Sequence, residues 1–171
     1  KMKLVFIGYE DNRIYSWLLS RGYKVDYLDG NHKIELDHLV CLNPDLIILH
    51  GCHKIINNKI VQYFSDRIVN CHGSFLPYNR GAHPNIWAII DNTKFGVTIH
   101  LINEKIDSGK FIVRKELNFS KSETISSSYW KSRIELEDLF IENWNLIKDF
   151  NNFSKLEIIP KAKINYRTDL A

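Results

Sequence analysis

A chain of 171 residues, 44% of them apolar, is long enough to bury one substantial core without disulfide or metal staples, and reads as a single domain. Its three cysteines are an odd number without compact spacing, its net charge of +3 is scattered, and no run approaches the roughly 18 to 20 apolar residues of a membrane span; these features argue against a disulfide framework, nucleic-acid binding and a membrane anchor. The N-terminus lacks signal-peptide order, so the expected location is cytoplasmic.

Lys1 is set aside, with Met2 read as the natural start. Lys3 to Gly8 reads as a buried strand, and Asn12 to Arg21 as a helix with Ile14, Trp17 and Leu18 on one face, stopped by Gly22. Lys24 to Leu28 is the next strand. A helical stretch from Lys33 to Leu42 carries Ile34, Leu39 and Leu42 and ends before Pro44, ahead of the apolar run Leu46 to Leu49. An amphipathic piece around Ile60 to Phe64 leads into the short strand Ile68 to Cys71. Alternation at this length predicts an α/β fold, a Rossmann-like, mostly parallel, doubly wound sheet whose right-handed crossovers place helices on both faces.

In such sheets ligands bind outside the carboxyl ends of the strands. Gly8-Tyr9, His50-Gly51 and Asn70 to His72 all stand at predicted strand ends, so three separate stretches are expected to converge on one crevice. From Lys94 the pattern changes. Phe95 to Ile102 and Lys110 to Leu117 predict an antiparallel or mixed strand pair joined by Asn103 to Gly109. A long C-terminal helix is expected from Glu123 to Phe150, with Trp130, Ile134, Leu139, Phe140, Trp144 and Ile147 on an apolar stripe that packs the core or a dimer face. Ser126 to Ser128 reads as an exposed first turn.

Asn70 and His72 lie two apart at a strand end, so alternation sends both side chains to one face. With Asp107 they form a set of amide, imidazole and carboxylate able to perform acyl transfer. Each alone is ordinary: a turn residue, a half-buried histidine, a loop carboxylate before Ser-Gly. A rival grouping of His50, Cys52, His53, Cys71 and His72 as metal ligands matches no closed zinc spacing and leaves Asn70 and Asp107 without a role; no metal is expected.

Asn70-x-His72-x-Ser74-x-Leu76-Pro77, Arg80-Gly81, Gly96-Val97-Thr98-Ile99-His100 and Asp107-Ser108-Gly109, in that order, resemble the folate-dependent formyltransferase family over about residues 2–150. Within it, Pro77 to Trp87 resembles the branch that formylates nucleotide-linked amino sugars. Two absences agree with that choice: the residues after Phe150 leave no room for the further domain of enzymes acting on initiator methionyl-tRNA, and Gly8 to Asn12 is not the glycine-rich phosphate loop of enzymes acting on glycinamide ribonucleotide.

The resemblance implies a catalytic domain over residues 2–150 and a short C-terminal extension, 151–171, that is no separate domain. It implies transfer of a formyl group from N10-formyltetrahydrofolate to the amine of a nucleotide-linked amino sugar of the dTDP-amino-dideoxyhexose type. The alternatives are a phosphoribosylglycinamide formyltransferase and, from another class, a non-catalytic folate or nucleotide-sugar binding domain. The expected partners are these small molecules, with a homodimer left open. Asn70, His72 and Asp107 are the implied catalytic residues, while Ser74 and Pro77 shape the loop. His53, Lys54, Ile55, Ile56, Ile102, Asn103 and Asp107 would flank the folate; Tyr9, Tyr78, Asn79, Arg80, His83 and Trp87 are the acceptor candidates.

The chemistry suits these residue types. When an amine attacks the formyl carbon, negative charge grows on the formyl oxygen and positive charge on nitrogen. Preorganised donors such as the Asn70 amide and a protonated His72 are typically worth about 3 to 4 kcal/mol each against such an oxyanion. Asp107 would keep His72 protonated and accept the proton lost by the amine.

Overall fold

The computed structural model describes residues 2–170. Strand β1 (Lys3–Gly8) shows why the chain folds in layers: Leu4, Val5, Phe6 and Ile7 are all fully buried, so both faces of the strand need covers. Its alternate side chains go to different cores. Leu4 and Phe6 join a cluster with Ile14 and Leu18 of helix α1 (Arg13–Ser20) and Leu136, Leu139 and Phe140 of helix α5 (Ile125–Glu142). Val5 and Ile7 join Leu39 of α2 (Leu36–Leu42) and Ile60 of α3 (Asn58–Tyr63) on the other face.

The remaining strands are β2 (Lys24–Asp29), β3 (Leu46–His50), β4 (Ile68–His72), the two-residue β5 (Arg80–Gly81), β6 (Phe95–Leu101), β7 (Lys110–Leu117) and β8 (Ile164–Asn165); α4 (Pro84–Ile90) and α6 (Trp144–Ile147) are the other α-helices, and two short 3-10 turns span Phe150–Lys155 and Arg167–Leu170. A six-stranded sheet runs in the order β2-β1-β3-β4-β6-β7, parallel from β2 to β4 and antiparallel at β4–β6 and β6–β7. This is the mostly parallel sheet with an antiparallel pair and long C-terminal helix that the sequence predicts. Strands β5 and β8 form a separate parallel pair. No helix among the described residues is long and apolar enough to cross a membrane.

Three expectations need correction. Helix α2 begins at Leu36 rather than Lys33, because Glu35 is still extended. The long helix ends at Glu142, where Asn143 leaves helical geometry and its side chain donates to the Leu139 carbonyl before α6 starts. The apolar stripe is also rotated in its first half: Trp130 and Ile134 are about half exposed, whereas Ser128, Ser132 and Leu136 are buried. Ser128 therefore leaves the exposed first turn assigned to it and takes a hydrogen bond from Asn85 at 3.0 Å, a small residue allowing α4 and α5 to approach closely. Ser126 and Ser127 are exposed as expected.

Candidate active site

The carboxyl ends of β1, β3 and β4 open into a cleft of about 570 Å³ whose walls include Tyr9, His50, Asn70 and His72. Antiparallel pairing puts Asn70 of β4 opposite His100 of β6, and the loop between β6 and β7 returns Asp107 to the same place. Asp107 has φ +43, a left-handed conformation that an acidic residue tolerates. Its Oδ2 accepts from the Gly81 amide at 2.7 Å; its Oδ1 stands 3.4 Å from Asn70 Nδ2 and 3.5 Å from His72 Nδ1. His72 Nε2 faces the Asn79 carbonyl at 3.5 Å, so both ring nitrogens point at acceptors, an arrangement a doubly protonated ring satisfies. These three long contacts are weak enough for His72 and the Asn70 N–H nearest Asp107 to exchange them for a ligand.

His100 is the residue that sequence reasoning passed over, although its motif was in view. It is fully buried, and its Nδ1 lies 3.1 Å from both the Leu101 and Ser108 carbonyls. Nδ1 must therefore carry the proton, which makes Nε2 an acceptor for Asn70 Nδ2 at 3.2 Å. Burial pushes the His100 imidazole down to about 4, against the opposing pull of Asp107, so it stays neutral and keeps that lone pair. One Asn70 N–H is thus fixed and the amide cannot flip without losing it.

A second polar group supports the far wall. Glu137 of α5, nearly buried, takes His50 Nε2 at 3.0 Å, Arg13 Nε at 3.1 Å and Arg133 Nε at 3.3 Å. Burial works to raise this carboxyl, but the bonds from His50 and Arg13 outweigh it and hold it at about 2; burial likewise lowers His50, whose Nε2 meets the carboxylate. Arg133 lies 4.1 Å over the Tyr9 ring, and the Tyr9 and Tyr129 hydroxyls meet at 2.9 Å. Pairings 87 and 124 residues apart leave no local sequence signal.

The expected folate residues His53, Lys54, Ile55, Ile56, Ile102, Asn103 and Asp107 all line the cleft, with Ile55 82% exposed and so not a core residue. The acceptor candidates divide. Tyr9 and His83 line the cleft; Tyr78, Asn79, Arg80 and Trp87 do not. Asn79 donates to Thr93 Oγ1, Trp87 is buried under Lys163, and the buried Arg80 guanidinium is bonded to the Ile106 and Ala162 carbonyls, which spends its donors inside the protein. Ser74 and Pro77 shape the loop beside the site, where the Leu76–Pro77 bond is cis and Thr98 Oγ1 bonds the Ser74 carbonyl and the Leu76 amide.

The rival metal ligands are dispersed among other tasks: Cys52 donates to the Lys54 carbonyl, Cys71 is buried in the core, and His50 and His72 face Glu137 and Asp107. Among the described residues no three His, Cys, Asp or Glu side chains are grouped as ligands would be.

A family model described as formyl transferase matches residues 30–142. The dTDP-4-amino-4,6-dideoxyglucose formyltransferase of Mycobacterium tuberculosis is 37% identical over 125 residues, 73% of this chain and 52% of the relative. The chain thus spans about half the length of the curated relatives it first matches. The formyltransferase PseJ from Anoxybacillus kamchatkensis, solved with UDP-4,6-dideoxy-4-formamido-L-AltNAc and tetrahydrofolate, superposes with TM-score 0.86 at 31% identity, covering 98% of this chain and 87% of that one. An N-formyltransferase from Helicobacter canadensis, solved with folinic acid and dTDP-3-aminofucose, shares the fold with TM-score 0.76 at 21% identity, covering 100% and 73%.

Proposed function

This chain belongs to the formyl transferase family, and we propose that it moves a formyl group from N10-formyltetrahydrofolate to the amine of a nucleotide-linked amino sugar. The observation that carries the reading is the convergence of Asn70, His72 and Asp107 in one cleft, the carboxylate anchored by a backbone amide and the Asn70 amide locked by His100. The ligands named for PseJ and for the mycobacterial relative support the class of donor and acceptor.

In this reading Asn70 and His72 donate to the formyl oxygen as the acceptor nitrogen bonds to the formyl carbon, and the oxyanion they hold is the charge the transition state develops. Asp107 takes the proton that the nitrogen must lose. When the tetrahedral adduct collapses, the bond from the formyl carbon to N10 breaks, His72 gives a proton to that nitrogen, and the proton held by Asp107 passes back to the His72 ring 3.5 Å away, so the net transfer is from the amine to N10. The segment His53 to Ile56 and the loop Ile102 to Asp107 hold the folate, while Tyr9 and His83 lie on the acceptor side.

The test is transfer from N10-formyltetrahydrofolate to a panel containing dTDP-4-amino-4,6-dideoxyglucose, dTDP-3-aminofucose and glycinamide ribonucleotide, read by mass. The expected product is a formamido sugar nucleotide. Formylation of glycinamide ribonucleotide alone, or of nothing, would overturn the proposal.

A further inference from the structure

The cleft does not draw its acceptor groups from where the sequence placed them: Tyr78, Arg80 and Trp87 stand outside its wall, and the Arg80 donors are spent on backbone carbonyls. A sugar nucleotide still needs a cation for its phosphates and an apolar face for its rings. The wall supplies that pair from the C-terminal segment, in Tyr166 and Arg167 just after β8. Both are exposed, Tyr166 by 53%.

Their position is set from the backbone outward. Gly81 and Asn165 are directly paired across β5 and β8, and the Ala82 amide donates to the Asn165 carbonyl at 2.9 Å. Gly81 has φ +94, and a Cβ there would fall 2.1 Å from the Asn165 carbonyl oxygen, so only glycine permits the approach. The Gly81 amide is the group that holds Asp107 Oδ2 at 2.7 Å. Asn165 is 2% exposed, so its side chain is turned inward, and alternation along the strand turns Tyr166 to the open side. Asp169 closes the turn that follows: its Oδ2 accepts from the Tyr166 amide at 2.6 Å, and its own amide donates to the Tyr166 carbonyl at 3.1 Å. A braced run of chain therefore leads from the corner that holds Asp107 to two exposed side chains on the cleft wall.

We propose that Tyr166 and Arg167 recognise the acceptor beyond its amine, the Tyr166 ring packing against the sugar and the Arg167 guanidinium taking the diphosphate. The inference rests on the amino-sugar reading of the cleft and deepens it, naming the residues that read the nucleotide part. Order along the chain matches order along the ligand: amine at Asp107, then sugar ring, then diphosphate. A guanidinium presents a planar fork of donors to two phosphate oxygens, and such charge-assisted bonds are about twice as strong as neutral ones. The aromatic ring offers a flat apolar face to a sugar that has lost hydroxyls.

Calorimetry on wild type, Arg167→Gln, Arg167→Lys, Tyr166→Ala and Tyr166→Phe measures binding of dTDP, UDP, dTDP-4-amino-4,6-dideoxyglucose and tetrahydrofolate. The altered side chains are exposed, so all four variants should fold as wild type does. Expected for Arg167→Gln is an affinity for dTDP, UDP and the amino-sugar nucleotide weakened about tenfold, with Arg167→Lys recovering part of it. Tyr166→Ala should weaken the amino-sugar nucleotide about fivefold and Tyr166→Phe should not, while tetrahydrofolate stays within about twofold throughout. Unchanged nucleotide affinity in Arg167→Gln or Tyr166→Ala overturns the proposal and leaves the amino-sugar reading standing. An equal weakening of tetrahydrofolate also overturns it, because the two residues then serve the folate. Wild type that binds tetrahydrofolate but no nucleotide removes the acceptor reading itself and this proposal with it.

Discussion

Replacing Asp107 by Asn isolates the charge of the proposed proton acceptor. Backbone strain is not the cause of any effect, since Asn tolerates the left-handed φ of +43 at this position. The carboxylate accepts on both sides: Gly81 N–H reaches Oδ2 at 2.7 Å, while Asn70 Nδ2 and His72 Nδ1 face Oδ1 at 3.4 and 3.5 Å. An amide has one accepting end, so either orientation turns its NH2 toward a donor. The unpaired group costs about 1 to 3 kcal/mol in stability. The catalytic loss is larger: removing a general base costs about 10² to 10⁴ in rate. His72 also loses the acceptor for one of its protons, and with it part of an oxyanion donor worth about 3 to 4 kcal/mol. Groups that act as a unit do not add their losses, so the expected fall in kcat is about 10³-fold, with tetrahydrofolate affinity within about threefold of wild type. Single-turnover formyl transfer gives the first quantity and calorimetry the second. Asp107→Asn retaining more than about a tenth of wild-type kcat would refute the role assigned here.

His100→Leu removes the lone pair that holds Asn70 Nδ2 and leaves the Ser108 carbonyl unpaired, so kcat should fall about 10- to 100-fold and stability by about 1 to 3 kcal/mol, with His100→Gln recovering part of both. Steady-state rates and urea midpoints read the two effects. Gly81→Ala should release β8 and unseat Asp107, because its Cβ has no room against the Asn165 carbonyl; a variant with wild-type kcat would show that the Gly81 amide does not anchor the carboxylate. Acid should destabilise the fold in two stages. Unfolded His100 takes a proton below its ordinary 6.5, whereas the folded residue resists to about 4, so about 3 kcal/mol of stability present above pH 6.5 is lost as pH falls to 4, and His50 adds in the same direction. Glu137, ordinarily near 4.5 and held at about 2, contributes stability present above pH 4.5 that is lost from there to pH 2. Urea midpoints that stay flat between pH 7 and 4.5 would contradict the neutral, buried His100.

The parallel half of the sheet was legible because strands buried on both faces read as unbroken apolar runs, as in Leu4 to Ile7 and Leu46 to Leu49, and because Gly22 and Pro44 punctuate them. Asn70 and His72 were legible for the same reason, two positions apart on one strand face. Periodicity failed in α5, where Ser128 and Ser132 are buried while Trp130 is exposed. There the close approach of α4, bridged by Asn85, decides which side of the helix is covered, and small residues win over large ones.

Arg80 shows a different limit. A cation after Tyr78-Asn79 reads naturally as an anion-binding residue, yet it is 4% exposed and its donors are taken by backbone carbonyls of the Asp107 loop and the C-terminal segment. The carbonyl of Ile106 and the amide of Gly81 carry no side-chain signature, so a reading by residue type could not find the corner they build with Arg80. That corner holds the stretch from Ala162 to Asn165 in place. Strand β8 is only two residues long and too weak a pattern to see, but its pairing with β5 braces the turn on which Asp107 rests. A segment that looks dispensable in sequence is therefore part of what holds the proposed proton acceptor against Asn70 and His72.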